Sequence, residues 1–545
     1  MTRFTRTPSL LLIIVCILFL SSDCTPSTSA PASNAATDAF LGCLAVEVPA
    51  GLIHNPASSS YAARLSSAAR NLRHAQPDTP TPFAVVEAAE HSHVQATVRC
   101  ARRHGVRVRT RSGGHDYEGV SYASADAAEP FVVLDIGALR GVRVDAARAE
   151  AWAGAGATVG ELYHALGAAS GTFAFPAGVC PSVGLGGHLS GGGVGRLARM
   201  YGVGADNVVD ALVVDAEGRI LDRSAMGEDL FWAIRGGGGG SFGVVLAWKL
   251  RLVRVPEKVA VFTVSRSGSP SAVDLVTKWQ EVAPALPADV VLRVVLANRR
   301  AVFVAQSLGP CRRLLDIMGA RFPELGVTLQ DCEEMSWVQS TVYNYYHVLA
   351  DDEQSDGGWR SKPLEELLLA ATSRTSTSRP SPTTQAWERT WAAWIDKPEA
   401  GQNQMALDPY GGTLADISPS ETPFPHRKGN LYQIEYYAVW RVNDDNDGSS
   451  KNASSWIQGL YKDMEPYVSK NPKAAYVNNR DMDLGTNQLQ GNVTIYEKGR
   501  VWGERYFKGN FERLAAVKAM VDPHDFFRHE QSIPPLPSSC TNKFM

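Results

Sequence analysis

Hydrophobic and polar positions follow two rhythms along this chain. Between residues 82 and 255, short apolar runs alternate with segments of helical period. Ala84 to Arg103 reads as a helix, and Val106-Arg107-Val108-Arg109-Thr110 alternates as a strand does. Phe131 to Asp135 is a short buried strand, and Val159 to Ala169 an amphipathic helix. Val208 to Asp215 forms a strand that turns at Gly218 into a hairpin partner, Arg219-Ile220-Leu221. This interleaving predicts an α+β domain. From about residue 258 the pattern shifts. Val259 to Val264, Val290 to Leu296 and Ala301 to Ala305 read as strands, with helices over Ala272 to Glu281 and Arg312 to Phe322. A second domain built on an antiparallel sheet with helices follows. Tyr432 to Trp440 is a further strand, with Gln433, Glu435 and Tyr437 on one face and Tyr432, Ile434 and Tyr436 on the other. Residues 351–384, rich in Ser, Thr and Pro, predict a surface loop beside a helix. Residues 21–38 read as a polar tail, with order beginning near Phe40. The chain closes with a helix from about Gly509 to Met520, ended by Asp522-Pro523. No internal repeat is visible.

At 545 residues the chain exceeds one compact core, so two or three domains are expected. A net charge of −3 with no basic run gives no support to nucleic-acid binding. Its His and Cys residues lack zinc-type spacing. Arg3 and Arg6 precede an apolar run, Leu10 to Leu20, and small residues lead to Ala30. This is the pattern of a signal peptide over residues 1–30, and the run is short for a membrane span. Its removal takes away two arginines and Asp23, leaving a charge of about −4 and no membrane anchor. A secreted protein is therefore expected, extracellular or in the cell wall, with the vacuole as the alternative. Of eight cysteines, Cys16 and Cys24 fall in the leader, leaving Cys43, Cys100, Cys180, Cys311, Cys332 and Cys540. Secretion permits disulfides. The sequons at Asn452 and Asn492 suit the same route as glycosylation sites.

Two segments carry the chemistry. Arg111-Ser112-Gly113-Gly114-His115-Asp116-Tyr117-Glu118-Gly119 and Pro176 to His188 each set one nucleophilic side chain, His115 or Cys180, in a glycine-rich loop. Glycines let backbone N–H groups approach a bulky ligand. The run Gly184 to Gly195 is suited to cradling phosphates through such groups. Gly238 to Gly243 fits G-x-G-x-x-G, but a helix-like segment precedes it and no acidic ribose partner follows. A Rossmann site is rejected on that ground.

Further segments complete a pattern: Asp229 to Gly243, Pro409 to Gly412, Pro423 to Tyr432, Asn478 to Leu484, Tyr506-Phe507 and Asp522 to Pro535. Together with the two loops they resemble the plant berberine bridge enzyme-like family over nearly the whole chain. The resemblance implies an FAD domain of the vanillyl-alcohol oxidase type in two parts, residues 40–255 and 485–545, around a substrate domain at 256–484. It implies one FAD bonded to His115 through its 8α-methyl carbon and to Cys180 through ring C6, which raises its potential. Ser112, Gly113, Gly114, Val183, Gly186, Gly187, His188, Gly191, Gly192 and Asn510 fall in the implied cofactor-binding set. Cys43–Cys100 resembles the family's N-terminal bridge. With Cys180 on the flavin an odd number remains; Cys311–Cys332 is expected as the second bridge, leaving Cys540 free.

Val183 resembles a gate beside the flavin, where a small residue goes with oxygen access. An oxidase that releases hydrogen peroxide is therefore expected, with a small-molecule substrate and molecular oxygen as partners and a monomer as its state. Relatives that oxidise monolignols carry Tyr where this chain has Asn479, Lys-x-Gln where it has Gln433-Ile434-Glu435, and often Tyr at Val194. These departures argue against monolignol chemistry. Glu435 matches the position of the catalytic Glu of berberine bridge enzyme. It is expected to take the substrate's proton, with Tyr117 positioning the substrate. Burial in a partly dry cleft raises a carboxyl pKa towards neutrality. The expected substrate is a small hydroxylated or amine metabolite. The alternatives are a carbohydrate oxidase and a secreted flavin-carrying binding or defence protein with little turnover.

Overall fold

The computed structural model describes residues 32–67, 69, 71, 74, 79–126, 129–268, 271–348, 370–377, 381–396, 403–440 and 449–538. The expected leader, Cys16, Cys24 and Cys540 lie outside them.

Three sheets organise the chain. The first has four strands in the order Ile53–His54, Ala84–Glu87, Phe131–Asp135, Arg107–Arg111, and its last three are mutually parallel. Helix His91–His104 makes the crossover and stops at Gly105, which takes the left-handed φ of 68° that glycine tolerates. Ala84–Glu87 is thus a strand, not the start of a helix as the sequence suggests. Pro80 and Pro82 hold the approach extended, and β-branched Val85 and Val86 then fill a buried sheet. Helical period begins only at His91.

The second sheet is antiparallel: Val142–Asp145, Glu150–Gly154, Val244–Arg251, Val208–Val214, Ile220–Leu221. The expected hairpin at Gly218 is present. Helix Val159–Ala169 matches its prediction and opens with a capping box, Thr158 and Glu161 bonding each other's backbone N–H. Helix Ala32–Leu44 replaces part of the expected tail. It carries Cys43 to a disulfide with Cys100, and a second disulfide joins Cys311 to Cys332.

The third sheet has seven antiparallel strands in the order Cys332–Met335, Val259–Ser267, Arg300–Ser307, Val290–Ala297, Gln404–Pro409, Tyr432–Trp440, Ala370–Thr377. The last is an edge strand inside the predicted surface loop. Its Ser and Thr content hid it, since an edge strand needs little apolar surface.

Two apolar cores follow this division. One joins residues from Phe40 to Val259 with Trp337 and with Ala475 to Leu536. The other spans Ala260 to Val468, between helices such as Ser271–Val282 and the inner face of the seven-stranded sheet. The architecture is the expected α+β type with a large antiparallel sheet. Among the described residues, no helix is long and apolar enough to cross a membrane.

Candidate active site

The His115 loop leaves the end of strand Arg107–Arg111 at a fixed point. Arg111 is fully buried and donates to Asp135 at 2.9 and 2.6 Å and to the carbonyls of Leu65 and Arg64. Ser112 Oγ donates to Ala155 O at 2.7 Å. Gly113 then meets Gly184 of the Cys180 loop so closely that a Cβ on either would lie 2.4 Å from the other's backbone nitrogen. Gly114 has φ 67°. The outcome is convergence: His115 Nε2 and Cys180 Sγ both contact Ser182 Oγ, at 2.9 and 3.6 Å.

The Cys180 loop has its own supports. Gly178 N–H donates to His188 Nε2 at 2.9 Å, and Tyr163 OH donates to Gly178 O at 2.8 Å. Burial draws the His188 pKa down to about 4, so its ring stays neutral and able to accept. Val183 closes the loop, its N–H donating to Cys180 O and its carbonyl accepting from Val159.

The glycine run from 184 to 195 differs from the expected N–H cradle. Leu185, Gly186, Gly191 and Gly192 donate to backbone carbonyls, while Gly193 and Val194 both donate to Tyr476 OH. Several of these glycines exist for close protein packing. A Cβ would strike Asn478 Oδ1 at 1.9 Å from Gly191, Ala155 O at 2.8 Å from Gly186, and Ala177 O at 1.8 Å from Gly195. Gly187 alone in the run would meet nothing within 4 Å, and Gly239 in the second glycine turn meets only Ser190 Cβ at 3.8 Å. That second turn follows helix Arg223–Ile234 and leads into strand Val244–Arg251, the reverse of Rossmann order. The meeting of His115 and Cys180 at Ser182 suits a bulky ligand of flavin type. Asn510 is committed elsewhere: its amide donates to the carbonyls of Pro419, Thr422 and Pro423. It bears on the site through the next residue, Phe424, whose ring packs on Gly192.

The seven-stranded sheet supplies the other half. Its two-residue period buries Tyr432, Ile434 and Tyr436 in the core, as predicted, and turns Gln433, Glu435 and Tyr437 the other way. Register adds neighbours the sequence reading missed. Gln433 pairs with Asp408, and Val294 pairs with Leu407, so Arg293 stands beside Asp408. Arg293 Nε is 3.4 Å from Asp408, and its Nη2 is 3.9 Å from Glu435. The available signal was one arginine within the otherwise apolar run Val290 to Ala297.

Three distant segments meet at Glu435. Asn479 Nδ2 donates to Glu435 Oε1 at 2.7 Å, and Tyr117 OH donates to the same oxygen at 3.3 Å. Tyr117 packs edge-on against Tyr437. Burial first, then the Glu435 charge, raises the pKa of Tyr117 far above 10, so it stays a protonated donor. Gln433 accepts from Tyr410 OH at 2.8 Å. The sequence-predicted His115, Cys180, Tyr117 and Glu435 therefore fall in one region.

Two family models match: an FAD binding domain over residues 82–224, and "Berberine and berberine like" over 475–534. The berberine bridge enzyme-like Cyn d 4 of Cynodon dactylon is 46% identical over 96% of this chain and 98% of its own length. The tetrahydroberberine oxidase of Berberis wilsoniae is 43% identical over 94% of this chain and 96% of its own. Among solved structures, the grass pollen allergen Phl p 4 superposes with a TM-score of 0.86 at 45% identity, over 92% of this chain and all of that one. Its wild type is described as a glucose dehydrogenase, and an isoleucine-to-valine variant, with a TM-score of 0.85, as a glucose oxidase. With nearly full-length matches of this identity and both signature regions in place, the chain belongs to the berberine bridge enzyme-like family of FAD-dependent oxidoreductases.

Proposed function

We propose that this protein is a secreted oxidase with FAD held by two covalent bonds, acting on a small hydroxylated or amine metabolite. The observation that carries the reading is Glu435, whose Oε1 accepts from both Tyr117 and Asn479 in the region where His115 and Cys180 converge. When bound, FAD supplies the hydride acceptor. The protein's own task is to hold the donor carbon's neighbour in place and remove a proton. Glu435, already an acceptor, is the group placed to take the proton of a substrate hydroxyl. Tyr117 and Asn479 fix the orientation of that carboxylate, and Tyr117 presents the substrate to it. With one O2 consumed per substrate, the overall products are the oxidised metabolite and hydrogen peroxide.

Oxygen as partner rests on Val183, in the turn that closes on Cys180. The Phl p 4 pair, dehydrogenase in the wild type and oxidase with valine for isoleucine, supports a small residue as the mark of an oxidase. The leader and the sequons at Asn452 and Asn492 support secretion, as do the two disulfides. A carbohydrate substrate is the second reading. It is favoured by the polar sheet face of Arg293, Asp408, Gln433 and Glu435 and by likeness to a glucose dehydrogenase.

Acid precipitation tests the attachment. Yellow colour that stays with the pellet, and is released only when His115 and Cys180 are both replaced, is the expected result; colour in the supernatant of the native protein overturns it. Peroxide release across alcohols, sugars and alkaloid amines then tests the reaction. Reduction of the bound flavin by a substrate with no oxygen uptake would make the protein a dehydrogenase.

A further inference from the structure

The two nucleophiles of the site share a third group. His115 Nε2 and Cys180 Sγ both lie within hydrogen-bond reach of Ser182 Oγ, at 2.9 and 3.6 Å. All three residues are half-buried, so a ligand can still reach them. Ser182 itself is held by regular structure. The carbonyl before it, of Pro181, accepts from Gly160 N–H at 2.9 Å, and the carbonyl after it, of Val183, accepts from Val159 N–H at 2.9 Å. Both donors belong to the first turn of helix Val159–Ala169, which the Thr158–Glu161 capping box fixes. Ser112, the other hydroxyl where the two loops meet, is spent on Ala155 O.

A hydroxyl carries one proton, so the bonds of Ser182 to its two partners depend on each other. In one setting Nε2–H donates to Oγ, and the hydroxyl donates to sulfur. His115 then keeps a lone pair on Nδ1, and Cys180 is favoured as the thiolate, its nucleophilic form. In the reverse setting the hydroxyl donates to Nε2 and accepts from S–H. The imidazole proton then sits on Nδ1 and the sulfur stays a thiol, so both partners are poor nucleophiles. Rotation of a single hydroxyl switches the two together.

We infer that Ser182 is the positioning residue for flavin attachment, and that it couples the His115 bond to the Cys180 bond. This rests on the doubly attached FAD proposed above. Each bond forms as one N–H or S–H of the protein and one C–H of the flavin are lost. The two electrons and two protons released pass to one O2, which leaves as hydrogen peroxide. For His115 the bond forms at Nδ1, and the proton lost is the one on Nε2, where Ser182 Oγ is the acceptor in contact. The hydroxyl proton stays directed at sulfur and holds Cys180 as the thiolate for its own bond. Ser182 forms no bond to the flavin.

The test reads attachment and not turnover. The full chain is secreted as wild type, Ser182→Ala and Ser182→Thr, then denatured, alkylated with iodoacetamide and digested. Mass spectrometry measures the fraction in which one FAD joins the His115 peptide to the Cys180 peptide, and the fraction in which Cys180 is alkylated instead. The wild type is expected to be doubly joined. Ser182→Ala is expected to lower the doubly joined fraction about tenfold or more, the scale of one lost hydrogen bond to a charged group, with alkylated Cys180 rising to match. Ser182→Thr, which keeps the hydroxyl, recovers it. Should Ser182→Ala fail to fold, Ser182→Thr and Ser182→Val, alike in shape and different in the hydroxyl, decide the question. Double attachment in Ser182→Ala at the wild-type level overturns the role of Ser182 alone. So does a loss that Ser182→Thr does not recover, which would show that the shape of serine matters and its proton does not. A wild type that releases all its FAD on denaturation overturns the attachment reading itself, and this inference with it.

Discussion

Glu435 has two donors on one oxygen and a guanidinium at 3.9 Å from the other, so its orientation is set before substrate arrives. Glu435→Gln keeps the shape and an oxygen for Asn479 and Tyr117, and removes only the basicity. It is expected to lower kcat by about 10²–10⁴-fold with the flavin spectrum intact, and unchanged turnover would place the base elsewhere. Val183 packs where the Cys180 loop turns back. Val183→Leu adds bulk there and is expected to slow reoxidation by oxygen about tenfold, or about 1.4 kcal/mol of barrier, while substrate reduction of the flavin keeps its rate. Stopped-flow mixing of reduced enzyme with oxygen measures this directly, and an unchanged oxygen rate would remove the gate. His188 gives a pH prediction. Its folded pKa is about 4 against 6.5 for the free ring, so the unfolded chain binds more protons between those values. The stability it contributes is whole above pH 6.5 and falls as pH drops towards 4, by about 3 kcal/mol in all. Melting temperatures across this window should fall less steeply in His188→Gln, whose amide oxygen still accepts from Gly178.

At the level of elements, the parts join through a few buried charges. Strand Arg107–Arg111 is tied to the C-terminal segment by Arg109, which forks onto Glu530 at 2.8 and 2.9 Å. Burial alone would raise the Glu530 pKa, but Arg109 and the Ala125 N–H override it and hold it at about 2. That carboxylate stabilises the fold above pH 4.5 and ceases to as pH falls towards 2. Glu530→Gln leaves the Arg109 guanidinium buried without its counter-ion and is expected to cost about 3–5 kcal/mol, read as a lower melting temperature at neutral pH. Such ties are absent from sequence patterns, whereas periodicity is local and was legible. It placed helix Val159–Ala169 and strand Tyr432–Trp440 and sorted Glu435 from Tyr436. It failed at Ala84–Glu87, where two prolines and a short buried strand precede a true helix, and at Ala370–Thr377, an edge strand of polar composition. The glycine motifs marked two loops that meet in the fold, but their glycines serve a different purpose from the expected one. Gly113, Gly184 and Gly191 are demanded by backbone and side-chain approach, which depends on what folds opposite them. The row Arg293, Asp408, Gln433 was hidden for the same reason, since register between separate strands is a tertiary fact.

Across the molecule, the core that begins at Phe40 is finished only by residues after Ala475. Trp502, Tyr506, Phe507, Phe511 and Phe527 are each nearly inaccessible to solvent within it. Lys518, fully buried, fastens this segment by donating to Ser241 O, Phe527 O and Asp522, so the second glycine turn and the C-terminal helix are held by one ammonium group. Among the described residues, the core between Ala260 and Val468 is filled by its own sheet and helices with the Cys311–Cys332 bridge, while Tyr476 reaches only a smaller cluster with Tyr410, Leu414 and Phe424. The two units should therefore respond differently to loss of the C-terminus. Deleting residues 475–545 removes several large aromatic side chains from the first core, each worth about 3–5 kcal/mol on truncation, which exceeds the 5–15 kcal/mol that holds a typical domain. The middle unit loses little. Limited proteolysis of the deleted chain is expected to leave a resistant fragment of roughly residues 258–470, with the flanking N-terminal part digested and no flavin retained. Survival of a resistant N-terminal fragment that still binds FAD would show that the first core is complete without its C-terminal segment, and would shift the closing role to the sheets themselves.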